Sequence, residues 1–266
     1  MWKNIYFEQK YLICISFFVL NLFVLIFVIG KPCYAIDKDK NLLFPIGEKL
    51  TLEIKWGVIK AGTAVLEVLP EKHINGEKSR HFALNVKTSS LVNCFFKIRD
   101  KFEAYTDLDV TRSILYRQKA DGTKKKDVVV NFDWDKKQAR YSNFGNKREP
   151  IDIYSGSYDP LSAFYGMRIH DFNGKTEIVF PITDGKKSFI GKAKIVRKEI
   201  IKLNGTTYDT YLIEPELVHF DGVFKKSKDP ELKIWITADE RKLLVKIKCK
   251  VIVGSLVGKL VSANLN

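Results

Sequence analysis

The feature that most constrains the fold is a two-residue alternation of apolar and polar side chains, repeated along the chain and broken every few residues by Gly, Asn, Asp or Pro. From Leu50 to Trp56, Leu52, Ile54 and Trp56 fall on one face and Thr51, Glu53 and Lys55 on the other. Period two marks a half-buried strand, because successive side chains on extended backbone point to opposite sides. Gly57 to Gly62 reads as a hairpin connection, and Thr63 to Leu69 runs back. Asn75-Gly76 is a strong two-residue turn signal, and Arg80 to Thr88 follows with Phe82, Leu84 and Val86 on one face.

The same pattern predicts strands over Lys101–Asp107, Ser113–Ala120, Asp127–Trp134, Ala139–Asn143, Thr176–Pro181, Lys187–Glu199, Thr206–Glu214, Glu231–Thr237, Leu243–Val253 and Gly258–Ala263. Connections this short join antiparallel neighbours, since parallel pairs need long crossovers. Two segments break the alternation. Ser89 to Ile98 carries Leu91, Phe95 and Ile98 at helical spacing behind a serine cap. Asp159 to Ile169 opens with Asp-Pro, an N-cap followed by proline at the first helical position, with Leu161, Phe164 and Tyr165 on one side. The expectation is an all-β protein: a single large antiparallel, strongly curved sheet, or an open barrel or β-spiral, with two short helices.

The N-terminus is of another kind. Lys3 and Lys10 precede an apolar run from Tyr11 to Gly30, and Cys33-Tyr34-Ala35 follows. A basic start, an apolar stretch and a small residue at the end make a secretory signal peptide, cleaved after Ala35. The same 20 residues are long enough to span a bilayer as an uncleaved inner-membrane anchor. A lipoprotein signal fits less well, because Lys31 and Pro32 directly precede Cys33. The domain reading is therefore a leader or anchor over 1–35 and one β-rich domain over 36–266, in the periplasm or otherwise outside the cytoplasm.

Export changes the meaning of the charge. The chain carries +14, of which the first 35 residues hold +2 (Lys3, Lys10 and Lys31 against Glu8), leaving +12. Such a balance favours anionic surfaces. In an exported protein these are phospholipid, an acidic polymer or another envelope component rather than nucleic acid. Lys124-Lys125-Lys126, Lys186-Lys187 and Lys225-Lys226 lie in turn-like stretches, which also suits plain solvated loops. Beyond residue 35 two cysteines remain, Cys94 and Cys249. In an oxidising compartment they either form a disulfide or, for Cys249 on its alternating strand, leave a small buried hydrophobe.

Catalytic signatures are missing from the sequence. His73, His81, His170 and His219 are scattered and lack the spacing of a metal site. Ser155-Gly156-Ser157 is a small-residue turn rather than a nucleophile elbow. Asp133 and Asp135 flank Trp134 on a strand, where they face water. No phosphate loop or dinucleotide fingerprint occurs, and no cofactor is implied. The aromatic residues are more suggestive. Trp56, Phe95, Phe96 and Trp235 fall in the ordered segments, either as part of a filled core or as the lining of a lumen that takes an acyl chain. Arg99-Asp100 and Arg168, set among aromatics, are expected either in buried pairings or reaching water.

Several stretches resemble a known family. They are Gly47 to Gly57 with Ile59-Lys60-Ala61-Gly62-Thr63-Ala64, then Phe96-Lys97-Ile98-Arg99-Asp100, Tyr158-Asp159-Pro160-Leu161-Ser162-Ala163-Phe164-Tyr165, Ile234-Trp235-Ile236-Thr237-Ala238-Asp239 and the closing Val253-Gly254-Ser255. Their order over about residues 45–262 resembles the bacterial family known as domain of unknown function 3108. The resemblance implies export and a β-rich fold, and it brings no catalytic residues. The resulting expectation is a non-enzymatic envelope protein that binds lipid, a lipoprotein or another apolar or anionic component. The alternatives are a structural or protein-interaction module with a filled core and, more remotely, a hydrolase of envelope polymer.

Overall fold

A computed structural model of the chain describes residues 43–217, 231–251 and 254–265. The segment read as leader or anchor, and Lys225-Lys226, lie outside the described residues. The strands are β1 (Lys49–Trp56), β2 (Ile59–Ile74), β3 (Glu77–Thr88), β4 (Arg99–Thr106), β5 (Ser113–Asp121), β6 (Lys125–Asp133), β7 (Gln138–Asn143), β8 (Asn146–Lys147), β9 (Ile151–Asp152), β10 (Glu177–Thr183), β11 (Ser188–Leu203), β12 (Thr206–Pro215), β13 (Glu231–Thr237), β14 (Leu244–Val251) and β15 (Gly254–Asn264). Two helices interrupt them, α1 (Ser90–Asn93) and α2 (Pro160–Ile169).

All the strands join one antiparallel sheet. From β1 to β8 and from β10 to β15 neighbours in the chain are neighbours in space; β9 returns to β7, and β15 pairs with β1, which brings the last strand beside the first. The path runs from β10 through β15 and β1 to β8, with β9 against β7, and does not close. The expected architecture is therefore the observed one. A strap covers the seam. Tyr158 forms an isolated parallel bridge to Ile182; its N–H donates to the Pro181 carbonyl at 2.9 Å, and its own carbonyl accepts from Thr183 at 2.9 Å. One residue earlier, the Ser157 carbonyl accepts from Ser113 N–H at the start of β5, 3.1 Å away. Single hydrogen bonds thus stand in for the missing ladder.

Local chemistry explains most strand ends. Asn75 and Gly76 both hold positive φ, 53° and 83°, the two-residue turn whose twist matches antiparallel strands. β2 runs past Pro70, further than the alternation suggests. The register against β3 shifts between Leu69 and Lys72, so the proline sits at an irregularity where no ladder donor is needed. The helix expected over Ser89–Ile98 shrinks to the single turn of α1. Ile98 N–H donates to Thr88 Oγ1 at 3.0 Å, and the Ile98 carbonyl accepts from Thr88 N–H at 3.3 Å. Those bonds draw the chain into the β3–β4 ladder before a second turn can form.

The helix α2 fills the space within the curved sheet. Every residue from Pro160 to Arg168 is buried, so the helix is enclosed on all sides rather than amphipathic. Tyr165 stacks on Phe82 with ring centroids 3.8 Å apart, and Phe44 meets both rings edge-on. The Asp159 cap is as expected. Its Oδ1 accepts from Leu161 N–H at 2.9 Å and Ser162 N–H at 3.0 Å, and its Oδ2 from the hydroxyls of Ser113 and Ser162. Arg168, the largest fully buried side chain, forms a bidentate pair with Glu48 (2.6 and 2.8 Å) and donates to the carbonyls of Arg241 and Leu43. This locks the entry to β1 and the β13–β14 turn onto the end of the plug helix.

Candidate functional site

Two features stand out on the end of the sheet formed by the β1–β2 hairpin and α1. The first is an apolar rim. Hairpin residues Trp56, Val58 and Ile59 are exposed, Val58 at 97%, as are Leu91 at 64% and Phe95 at 72% beside α1. Ser89 brings the two parts together, its N–H donating to the Ala61 carbonyl at 2.8 Å and its hydroxyl to the Lys60 carbonyl at 2.7 Å. Lys97 and Thr123 exchange two hydrogen bonds, which draws the β5–β6 turn and its lysines to the same end. Lys55, Lys60, Lys97 and Lys125 are all exposed around the rim. Monomers rarely leave such apolar side chains together in water without an interaction to make.

The second feature is a groove of about 410 Å³ on the outer face of β1–β4, lined by Lys49, Glu67, Asn85, Lys87, Arg99 and Lys101 together with Thr63, Val65, Val86 and Asp100. Lys49 pairs with Glu67 at 2.9 Å and Lys101 with Glu103 at 3.0 Å. Arg99 Nη1 is held by the carbonyls of Ile98 (2.7 Å) and Thr88 (3.4 Å) and by Asn93 Oδ1 (3.3 Å). Arg99 therefore reaches toward α1, and rim and groove adjoin. Among the described residues no carboxylate pairs with Arg99, so of the two alternatives for Arg99-Asp100 the buried pairing is not the one formed; strand alternation turns the Asp100 side chain to the opposite, inner face.

On that inner face, Asp100, Ala120 and Lys126 occupy one cross-strand row. Asp100 is buried with no partner on Oδ2, and burial pushes its carboxyl up to about 6 against the pull of Lys126. Burial, with Lys186 nearby, brings Lys126 down to about 8. Gln118, one row on, has a buried amide nitrogen without a partner. Among the described residues no cluster of three or more His, Cys, Asp or Glu could hold a metal.

The four aromatic candidates separate. Phe96 is buried in the core, Trp56 sits half-open at the rim, and Phe95 is exposed. Trp235 is buried, but it lies in register with Leu212 and Lys246, on the opposite face from Ile234 and Ile236. Its indole N–H donates to Glu199, and Lys246 Nζ lies 4.1 Å from its ring. Phe95 and Trp235 therefore do not line an interior. Alternation gave Trp235 two apolar neighbours without showing that lysine stems and a leucine could bury it from outside. Cys94 and Cys249 are both free, the first exposed and the second buried, so the disulfide is not formed. The sequence reading singled out Arg99 but not Thr63 or Lys87 as its companions. The three residues lie on three strands, and only the pairing register puts them side by side.

The open sheet with its strap belongs to the barrel-like class. A structure described as the crystal structure of a beta-barrel-like protein of domain of unknown function DUF1849 from Brucella abortus is similar over 84% of this chain and 99% of its own, with TM-score 0.58 and 9% identity, a likeness of fold. Residues 51–261 match the family described as "Protein of unknown function (DUF3108)", and the chain belongs to that family. None of the curated proteins compared matches it.

Proposed function

We propose that this is a non-enzymatic binding module of the bacterial cell envelope that docks by its hairpin end on an anionic lipid surface. The exposed rim of Val58, Leu91 and Phe95 among lysines carries the reading. Burying one large apolar side chain is worth about 1.5–3 kcal/mol, and a lysine near an anionic leaflet about 1 kcal/mol. Three such side chains with Lys97, Lys125 and the single net charge left by Lys55 and Lys60 on Glu53 give reversible docking once the cost of association is met. The packed interior, with α2 against Phe82 and Phe44, speaks for an outer docking face rather than an acyl chain held inside. Export follows from the basic and apolar N-terminal pattern. The same filled core favours, as a second reading, a module whose rim docks on an envelope protein.

Flotation of the chain from residue 43 onward tests the proposal, since the apolar run of residues 11–30 would insert by itself. The chain should float with vesicles of phosphatidylcholine plus phosphatidylglycerol and remain behind with phosphatidylcholine alone. Val58→Asp and Phe95→Asp should each abolish flotation without lowering the melting temperature. A native chain that ignores anionic vesicles would sink the lipid reading and leave the protein-interaction one.

A further inference from the structure

Thr63 of β2 pairs in register with Lys87 of β3, and Lys87 with Arg99 of β4. Partners in register share a face and stand about 4.8 Å apart from strand to strand, so three hydrogen-bond donors form one row along the groove. Like charges directly opposite one another destabilise a sheet, yet Lys87 and Arg99 are opposed and meet no carboxylate among the described residues. The next acid in that row, Glu53, is engaged by Lys55 and Lys60. Holding Nη1 on two carbonyls and Asn93 fixes the guanidinium, while its Nε and Nη2 have no acceptor among the described residues. The Thr63 hydroxyl is buried without a partner. The structure thus keeps a pre-positioned cation, an uncompensated second cation and an unused donor together in a concave site of about 410 Å³, within the size range of small-ligand pockets.

We infer that the Thr63–Lys87–Arg99 row is a binding site for a phosphate group. Guanidinium pairs with phosphate through paired N–H donors, Lys87 adds a mobile ammonium, and the Thr63 hydroxyl takes a further oxygen. Bound phosphate removes the repulsion between Lys87 and Arg99. The inference rests on the lipid-docking reading only for the source of the phosphate, a lipid head group as against a free phosphate ester.

The test uses the full chain in a neutral non-ionic detergent, titrated separately with inorganic phosphate, glycerol 3-phosphate and dihexanoyl phosphatidylglycerol. The side-chain Nε–H resonance of Arg99 is followed by ¹⁵N NMR, and isothermal titration calorimetry gives the affinity of every protein, including the variant that lacks that resonance. A saturable shift of that resonance in the native protein is expected. Arg99→Gln and Lys87→Gln should each weaken binding about tenfold or more, the loss of one charge-assisted contact. Lys147→Gln, on exposed β8 away from both rim and groove, should leave it unchanged. Tighter binding of the short-chain lipid assigns a head group, and equal binding of all three assigns the phosphate itself; both outcomes support the site. No saturation with any of the three, or an equal loss on Lys147→Gln, overturns it. Phe95→Asp separates this proposal from the docking one, because it should abolish flotation and leave the phosphate titration as it was.

Discussion

Replacing Asp100 with Asn should make the protein more stable at neutral pH, a direction opposite to that of most substitutions in a core. Asp100 is 4% exposed, its Oδ2 has no hydrogen-bond partner, and burial moves its carboxyl from 3.8 to about 6. Each tenfold change in proton affinity corresponds to about 1.4 kcal/mol, so the ionised carboxylate costs the fold about 3 kcal/mol. Asn keeps the shape and removes the charge. The pull of Lys126 across Ala120 is already contained in that figure, and the cost of burying an unpaired carboxamide takes back part of the gain and leaves about 1–2 kcal/mol. The pH dependence is the sharper signature. The folded state binds the Asp100 proton more tightly than the unfolded chain does, so the penalty is absent below about pH 4, grows between pH 4 and 6, and is full above pH 6. Urea unfolding of both proteins at pH 4, 5, 6 and 7 should therefore show the gain of Asp100→Asn rising with pH to a plateau. A less stable variant at pH 7, or a gain of equal size at pH 4, would refute the account of Asp100 as a buried, undercompensated charge.

Two further substitutions probe the plug helix. Arg168→Met should cost about 3–5 kcal/mol in urea unfolding, because it strands the Glu48 carboxylate and leaves the Arg241 and Leu43 carbonyls without their donor; a cost below 1 kcal/mol would mean that the pair contributes little. Asp159→Ala should lower stability by about 2 kcal/mol, the loss of a helix cap joined to two orphaned hydroxyls, and an unchanged melting temperature would dismiss the cap.

The sequence by itself determined what depends on neighbours close along the chain. Alternation at Leu52, Ile54 and Trp56 fixes a strand because the two-residue period belongs to extended backbone alone. Asn75-Gly76 fixes a turn because both residues tolerate positive φ, and Asp159-Pro160 fixes a helix start because the carboxylate reaches the next N–H groups. The short connections between such runs then leave an antiparallel meander as the arrangement available. Tertiary structure decided what depends on which strands lie side by side. Glu48 and Arg168 are 120 residues apart, and no local pattern selects one for the other. Trp235 and Ile236 are adjacent and both apolar, yet only the sheet's curvature sets which of them faces inward and whether leucine and lysine stems can bury the other. Thr63, Lys87 and Arg99 become one site through register alone. A slip of one residue in either pairing would carry one of them to the opposite face, because side chains alternate at every step along a strand.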